Sequence, residues 1–250
     1  MRSLLKIHTQ KALERFMPKI LKNLSTKIGL TKFIHNHFLN KYESEMAAKI
    51  EWGKDFRRLE VQLKAKKYWK DYRFLDELIK ITEISNESII LDVGCGIGSV
   101  LHFLPGKEKI GIDPLAKWYK KFYPYPASIK ILESFGENLD FSDKYFTHVF
   151  CTNVLDHVTA PDKVLGEIKR VLRDDGYFVL TVETHDASGG SRGAHHPHTF
   201  TITDIRKLLD STGFQVIFER ETRFLGMQQY SLGLPTKNDI ELIFVLRVKI

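Results

Sequence analysis

Near the start of the chain the apolar residues Leu13, Phe16, Met17, Ile20, Leu21, Leu24 and Ile28 recur at helical spacing with lysines between them. That period predicts a basic amphipathic helix, kinked at Pro18. Past residue 60 the pattern alternates between helical and strand periods. Tyr68 to Ile81 (YWKDYRFLDELIKI) predicts one helix, and Ser88 to Val93 (SIILDV) predicts a fully buried strand that runs into glycines. Further strands are predicted at Lys109 to Asp113, Ser128 to Glu133, Thr147 to Asn153 and Tyr177 to Glu183. Between the last two, Val164, Leu165, Ile168, Val171 and Leu172 make one helical face, with Pro161 near its start and Gly176 beyond its end. Those places suit the fixed φ of proline and the conformational freedom of glycine. Strand, helix, strand repeated in this way means a parallel sheet covered on both faces. Phe214 to Arg220 and Glu241 to Lys249 are strands with no helix predicted between them, so an antiparallel pair is expected at one edge. The chain thus divides into a helical extension, 1–60, and a main domain, 61–250.

At 250 residues and 43% hydrophobic content the chain can bury one substantial core. Its two cysteines, Cys95 and Cys151, form no CxxC pair, which excludes a disulfide framework and fits a reducing, cytoplasmic compartment. No apolar run approaches the roughly 18 residues that span a bilayer. Charge changes the picture more. Of the net +7, residues 1–50 carry all of it, with ten Lys and Arg against three Glu. Any basic partner surface therefore lies at the N-terminus, where three readings stand: packing on the main domain, peripheral docking on an anionic membrane, or contact with RNA or a protein.

The nonapeptide LDVGCGIGS is the most informative stretch. A buried strand ends at Asp92 and Val93, and the chain turns through Gly94, Gly96 and Gly98, which permits a tight turn and close approach of a ligand to the backbone. The spacing is GxGxG, with Ser99 in the place of the last glycine of a dinucleotide fingerprint. Asp113 closes the next strand 19 residues after Gly94, and a carboxylate there can accept two hydrogen bonds from a ribose. With GIDP, ENLDF, NVLDHV, EIKRVLRDDGYFVL and TFTITDIRKLLDSTGF following in order, the chain from Tyr68 onward resembles the class I S-adenosylmethionine-dependent methyltransferases, in the broad group of ubiquinone-pathway and sugar enzymes. The resemblance implies a doubly wound, Rossmann-like α/β sheet of seven strands, mostly parallel with an antiparallel edge strand, and S-adenosyl-L-methionine as cofactor. It assigns the methionine part to Asp92, Gly94, Cys95, Gly96 and Gly98, the ribose to Asp113 beside Pro114, the adenine region to Phe135, Gly136 and Glu137, and adds Asn153. Many relatives carry Asp-Ala where this chain has Phe135 and Gly136.

Methyl transfer from a sulfonium needs an acceptor lone pair held in line and water kept out; a hydroxyl acceptor also needs a base. Two stretches reach the expected rim. TNVLDHV follows the fourth strand and offers Asn153, Asp156 and His157, and SGGSRGAHHPHTF (Ser188 to Phe200) follows the fifth and offers His195, His196 and His198, with His185 just before it. His157, His196 and His198 are the candidate catalytic residues. His157 also reads as a helix-entry residue that orders the rim. Some relatives, the ubiquinone-pathway and RNA 3′-terminal ribose enzymes, bind a divalent metal through Glu-x-x-Glu-His. Here the corresponding set is Asn153-x-x-Asp156-His157 with His196 or His198 as the further ligand, so a metal on Asp156, His157 and one of these, His198 first, is the lesser alternative. Gly189, Gly190 and Gly193 make the second stretch a lid that delivers histidines and Arg192 to the acceptor. The expected acceptor is a small or lipid-linked hydroxyl compound, saccharide or quinol-like. RNA is the alternative, and an NAD-dependent oxidoreductase or a non-catalytic relative are remoter ones.

Overall fold

The computed structural model describes residues 55–185, 196–223 and 239–249. Residues 1–54 of the basic extension, with the membrane-docking helix, and residues 188–195 of the expected lid, with Arg192 and His195, lie outside the described residues. The elements run α1 (Leu59–Tyr72), α2 (Leu75–Ile81), β1 (Ile89–Val93), a 3₁₀ turn (Val100–His102), β2 (Glu108–Ile112), α3 (Ala116–Phe122), β3 (Lys130–Leu132), β4 (Phe146–Thr152), α4 (Pro161–Val171), β5 (Leu172–Thr184), α5 (Ile202–Ser211), β6 (Phe214–Thr222) and β7 (Ile240–Val248). None of the described helices is long and apolar enough to cross a membrane.

The seven strands order as β3-β2-β1-β4-β5-β7-β6. β1 to β5 pair in parallel, whereas β7 inserts antiparallel between β5 and β6. The expected antiparallel pair is therefore β6 with β7, and β7 alone runs against the sheet. Successive side chains of a strand point to opposite faces, so both faces carry a core. Leu91, Val149, Phe178 and Phe244 face α4 and α5, meeting Val164, Leu165, Ile168, Ile205 and Leu209. Ile90, Phe150, Val179 and Ile243 face the other way, onto Trp69, Leu75, Leu78, Val100 and Leu101. α4 keeps the apolar stripe predicted for it, with Pro161 in its first turn. α5 is closed by a capping box in which Thr201 and Asp204 satisfy each other's backbone N–H groups.

Two boundaries differ from the periodic reading. The helix expected over Tyr68 to Ile81 is two helices, because Phe74 sits at φ 53° and Arg73 turns inward to Glu241 on β7. The guanidinium meets that carboxylate through two contacts of 2.6 and 3.3 Å and lies 4.7 Å from the Trp69 ring centroid. A left-handed non-glycine residue costs about 1–2 kcal/mol, which the bidentate, charge-assisted contact offsets. β5 also starts at Leu172, five residues before the run predicted from its hydrophobicity. Its register on β4 shifts between Phe146 and His148, at the level of Gly176, where a Cβ would lie 2.7 Å from Leu172 Cδ1.

The buried pair makes a stability prediction. Glu241→Ala should lower unfolding free energy by roughly 3–5 kcal/mol, since it strands a buried guanidinium, whereas Arg73→Met with Glu241→Leu should recover most of that loss. Urea denaturation of the two variants checks it.

Candidate active site

Chain order leaves β1 on one side and β4 on the other of the point where the winding reverses. Ligands of open α/β sheets bind outside the carboxyl ends of the strands at such a point. Asp92 is the next-to-last residue of β1 and has no solvent exposure. Its Oδ2 accepts from the Ser99 hydroxyl at 2.6 Å, and Ser99 Oγ in turn accepts from Leu101 N at 3.1 Å, starting the 3₁₀ turn. Asp92 Oδ1 is buried with no hydrogen-bond partner. Burial pushes the Asp92 carboxyl up to about 7; the Ser99 hydrogen bond opposes this, and the charge of Asp113 adds to it.

The glycine turn follows. Gly94 has φ +71°, and a Cβ on it would sit 2.3 Å from Val154 Cγ2, so no other residue fits there. Gly94 and Cys95 both donate their N–H to the carbonyl of Ile112, at 2.9 and 3.0 Å. Gly96 donates to Asp113 Oδ2 at 3.1 Å, while Asp113 Oδ1 accepts from Leu115 N at 2.8 Å. A carboxylate has about four lone-pair positions, so Asp113 keeps capacity for a ribose. Cys95 is engaged locally: its sulfur packs under Gly111, where a Cβ would lie 2.7 Å away, and its N–H bonds the Ile112 carbonyl on β2. Asn153, just past β4, adopts φ 57° and buries its side-chain oxygen without a hydrogen-bond partner. Orphaned buried acceptors are expensive. Two of them, Asp92 Oδ1 and Asn153 Oδ1, together with a turn that only glycine can make, fit a ligand that brings donors into this rim.

The adenine region is divided. Phe135 is 54% exposed and open to stacking, and Gly136 lies where a Cβ would meet Val93 Cγ1 at 3.1 Å. Glu137 is engaged elsewhere, since its Oε1 accepts from Thr159 N at 2.9 Å and so fastens the ENLDF segment to the β4–α4 loop. Glu167 and Arg170 of α4 hold the same segment through Leu139 N, at 2.7 Å, and the carbonyls of Leu139 and Phe141.

That loop carries the second cluster. Asp156 is 4% exposed; its Oδ2 meets His196 Nδ1 at 2.5 Å, and its Oδ1 lies 3.7 Å from His157 Nε2. The two imidazoles pack with ring centroids 4.3 Å apart. Burial pushes the Asp156 carboxyl up, but the His196 hydrogen bond and the charges of both imidazoles outweigh it, so the group lies below the ordinary carboxylate range. Of the two histidines expected as the third member of the cluster, it is His196 that joins Asp156 and His157, and not His198. His198 is engaged elsewhere: its Nε2 is 3.0 Å from the Val158 carbonyl and its ring stacks on Phe200. His185 is engaged by Asp239 at 2.7 Å. Cys151 is held as a thiol by burial first and then by the charges of Asp92 and Asp156, which places it between the two clusters and makes it no nucleophile.

A doubly wound sheet whose first two strands end in carboxylates joined by a glycine turn defines a nucleoside-cofactor domain. A family model described as a methyltransferase domain matches residues 91–180. The thiol S-methyltransferase TMT1B of Rattus norvegicus is 32% identical over 113 residues, 42% of this chain and 46% of that protein. The sterol 24-C-methyltransferase of Eremothecium gossypii is 22% identical over 160 residues, 55% of this chain and 43% of that one. The chain spans about half the length of the curated relatives it matches. Among solved structures, the YcgJ protein of Bacillus subtilis shares the fold with a TM-score of 0.51 at 17% identity, over 70% of this chain and 97% of that one. Residues 91–180 thus match a methyltransferase domain, and the sheet that holds them has the fold of that solved structure.

The raised Asp92 carboxyl predicts a pH dependence. A carboxyl with a folded pKa above its unfolded value stabilises the fold below about pH 4 and loses that contribution as pH rises through about 7. Ligand-free protein should therefore lose stability between those values, and Asp92→Asn should flatten the profile and exceed the parent at pH 8. Urea midpoints across the range test this.

Proposed function

We propose that the protein is an O-methyltransferase of a small hydroxyl acceptor, saccharide or quinol-like, with His196 as general base. Bound in the rim, S-adenosylmethionine supplies a methyl group on a sulfonium. Asp92, Asn153 and the turn of Gly94, Gly96 and Gly98 hold its methionine end, Asp113 beside Pro114 holds the ribose, and Phe135 with Gly136 flanks the adenine. The observation that carries the acceptor reading is the 2.5 Å contact between Asp156 and His196. A buried, ionised carboxylate on Nδ1 orients the ring and leaves Nε2 as the basic nitrogen, the arrangement that lets an imidazole take a hydroxyl proton. His157, packed against it at a tilt of 46°, fixes the ring's place. Relatives that act on thiols and sterols support a small-molecule acceptor over a nucleic acid.

A divalent cation on Asp156, His157 and His196 is the second reading, since one ligand atom from each lies within 4.8 Å of the others. The direct carboxylate–imidazole hydrogen bond favours the base, because it occupies one atom of each partner that an ion would need.

The test is methyl transfer by the full chain to panels of phenols, saccharides and thiols, read by mass. Hydroxyl compounds should be methylated, and His196→Ala or Asp156→Asn should lower turnover roughly 10²–10⁴-fold with S-adenosylhomocysteine affinity kept within about twofold. EDTA should leave activity unchanged. Transfer to thiols alone, or full turnover in His196→Ala, overturns the base assignment; loss with EDTA that an added divalent ion restores selects the cation.

A further inference from the structure

The Gly96 peptide is gripped from both sides by groups outside its loop. Its N–H donates to Asp113 Oδ2 at 3.1 Å, and its carbonyl accepts from the Tyr125 hydroxyl at 2.9 Å. The next carbonyl, that of Ile97, lies 3.1 Å from His102 Nε2. Tyr125 comes from the stretch between α3 and β3, and His102 ends the 3₁₀ turn. Their rings stack at 6.2 Å with an interplanar angle of 13°. Behind them, Tyr123 meets Tyr125 edge-on at 4.8 Å, and Phe56, with no exposure, packs on His102 at 5.1 Å. Burial holds His102 below the ordinary imidazole range, so the ring is neutral and Nε2–H is the tautomer that donates to Ile97.

Gly96 has φ +50°, and without a side chain its flanking peptides rotate at little cost. A loop of this kind acquires one orientation only when its carbonyls are tied. We propose that Tyr125, backed by His102, is a positioning residue for the cofactor: its hydroxyl holds the Gly96 carbonyl so that the turn and Asp113 meet the ligand already in place. The ordering that binding would otherwise have to supply is then present in the free protein. Because Gly96 N–H rests on Asp113, the same hydroxyl also steadies the carboxylate assigned to the ribose. The inference rests on the methyltransferase reading of the site.

Tyr125→Phe keeps the ring and its stack and removes only the hydroxyl. It should weaken S-adenosylhomocysteine binding in calorimetry, and raise the KM for S-adenosylmethionine, by roughly three- to tenfold, the worth of one hydrogen bond. The kcat at saturating cofactor and the acceptor KM should stay as in the parent. His102→Gln gives an independent test of the same brace and should shift affinity in the same direction. Parental affinity in both variants overturns the proposal, as does a lowered thermal midpoint with affinity unchanged, which marks a purely structural brace. A parent chain that binds no S-adenosylhomocysteine overturns the methyltransferase reading itself, and this inference with it.

Discussion

A carboxylate sealed from water at the end of β1 sets the terms for the whole rim. Asp92 can remain there only because Ser99 donates to one oxygen, and Ser99 can do so only because the chain reverses within five residues through Gly94, Gly96 and Gly98. The reversal brings Gly94 so near Val154 that no side chain is admitted. It also hands the loop's N–H groups to Ile112 and Asp113 on β2. One buried charge therefore couples β1, β2 and β4 at the place where the sheet's winding reverses. Its other oxygen is left buried without a hydrogen-bond partner.

The second side of the rim is built on different physics. Asp156 stands on a short loop between β4 and α4, and nothing in that loop's own sequence would hold it still. Glu137 supplies the restraint from one side by accepting from Thr159 N. Glu167 and Arg170 supply it from α4 by gripping the segment on which Glu137 sits. With the loop fixed, Asp156 meets a histidine that arrives after β5, forty residues further along the chain. The carboxylate–imidazole pair is thus assembled from two rim segments, while the glycine turn and its two aspartates come from the first two strands and their turns.

Much of this was legible from the residues. Strand positions, the stripe on α4 and the antiparallel pair of β6 and β7 follow from hydrophobic period, because a sheet covered on both faces requires continuous apolar strands. The glycine turn, Asp92 and Asp113 were legible because spacing along the chain fixes their distance from strand ends. Other parts were not. The break at Arg73 depends on Glu241 on a distant strand, and local helical preference carries no trace of it. Cys95 and Glu137 were assigned to the ligand by the resemblance, and the sequence held no sign that the Cys95 N–H bonds β2 or that Glu137 Oε1 accepts from Thr159 N. Ser99 was noticed only as a missing glycine, although a hydroxyl seven residues after a strand-end aspartate was the available signal. Tyr125 and His102 gave no signal, since a bond to a backbone carbonyl leaves no pattern in the partner's sequence.

What the chain determined by itself was the order of elements and the strand ends at which the glycine turn and its aspartates stand, which depend on short-range period and spacing; the class of cofactor came through the resemblance that the motifs carry. The choice between His196 and His198 was left to tertiary structure. Those two histidines stand two residues apart in one motif, and composition cannot rank them. Backbone direction after β5 puts one ring on a buried carboxylate and the other on the Val158 carbonyl, and only a folded chain has that direction.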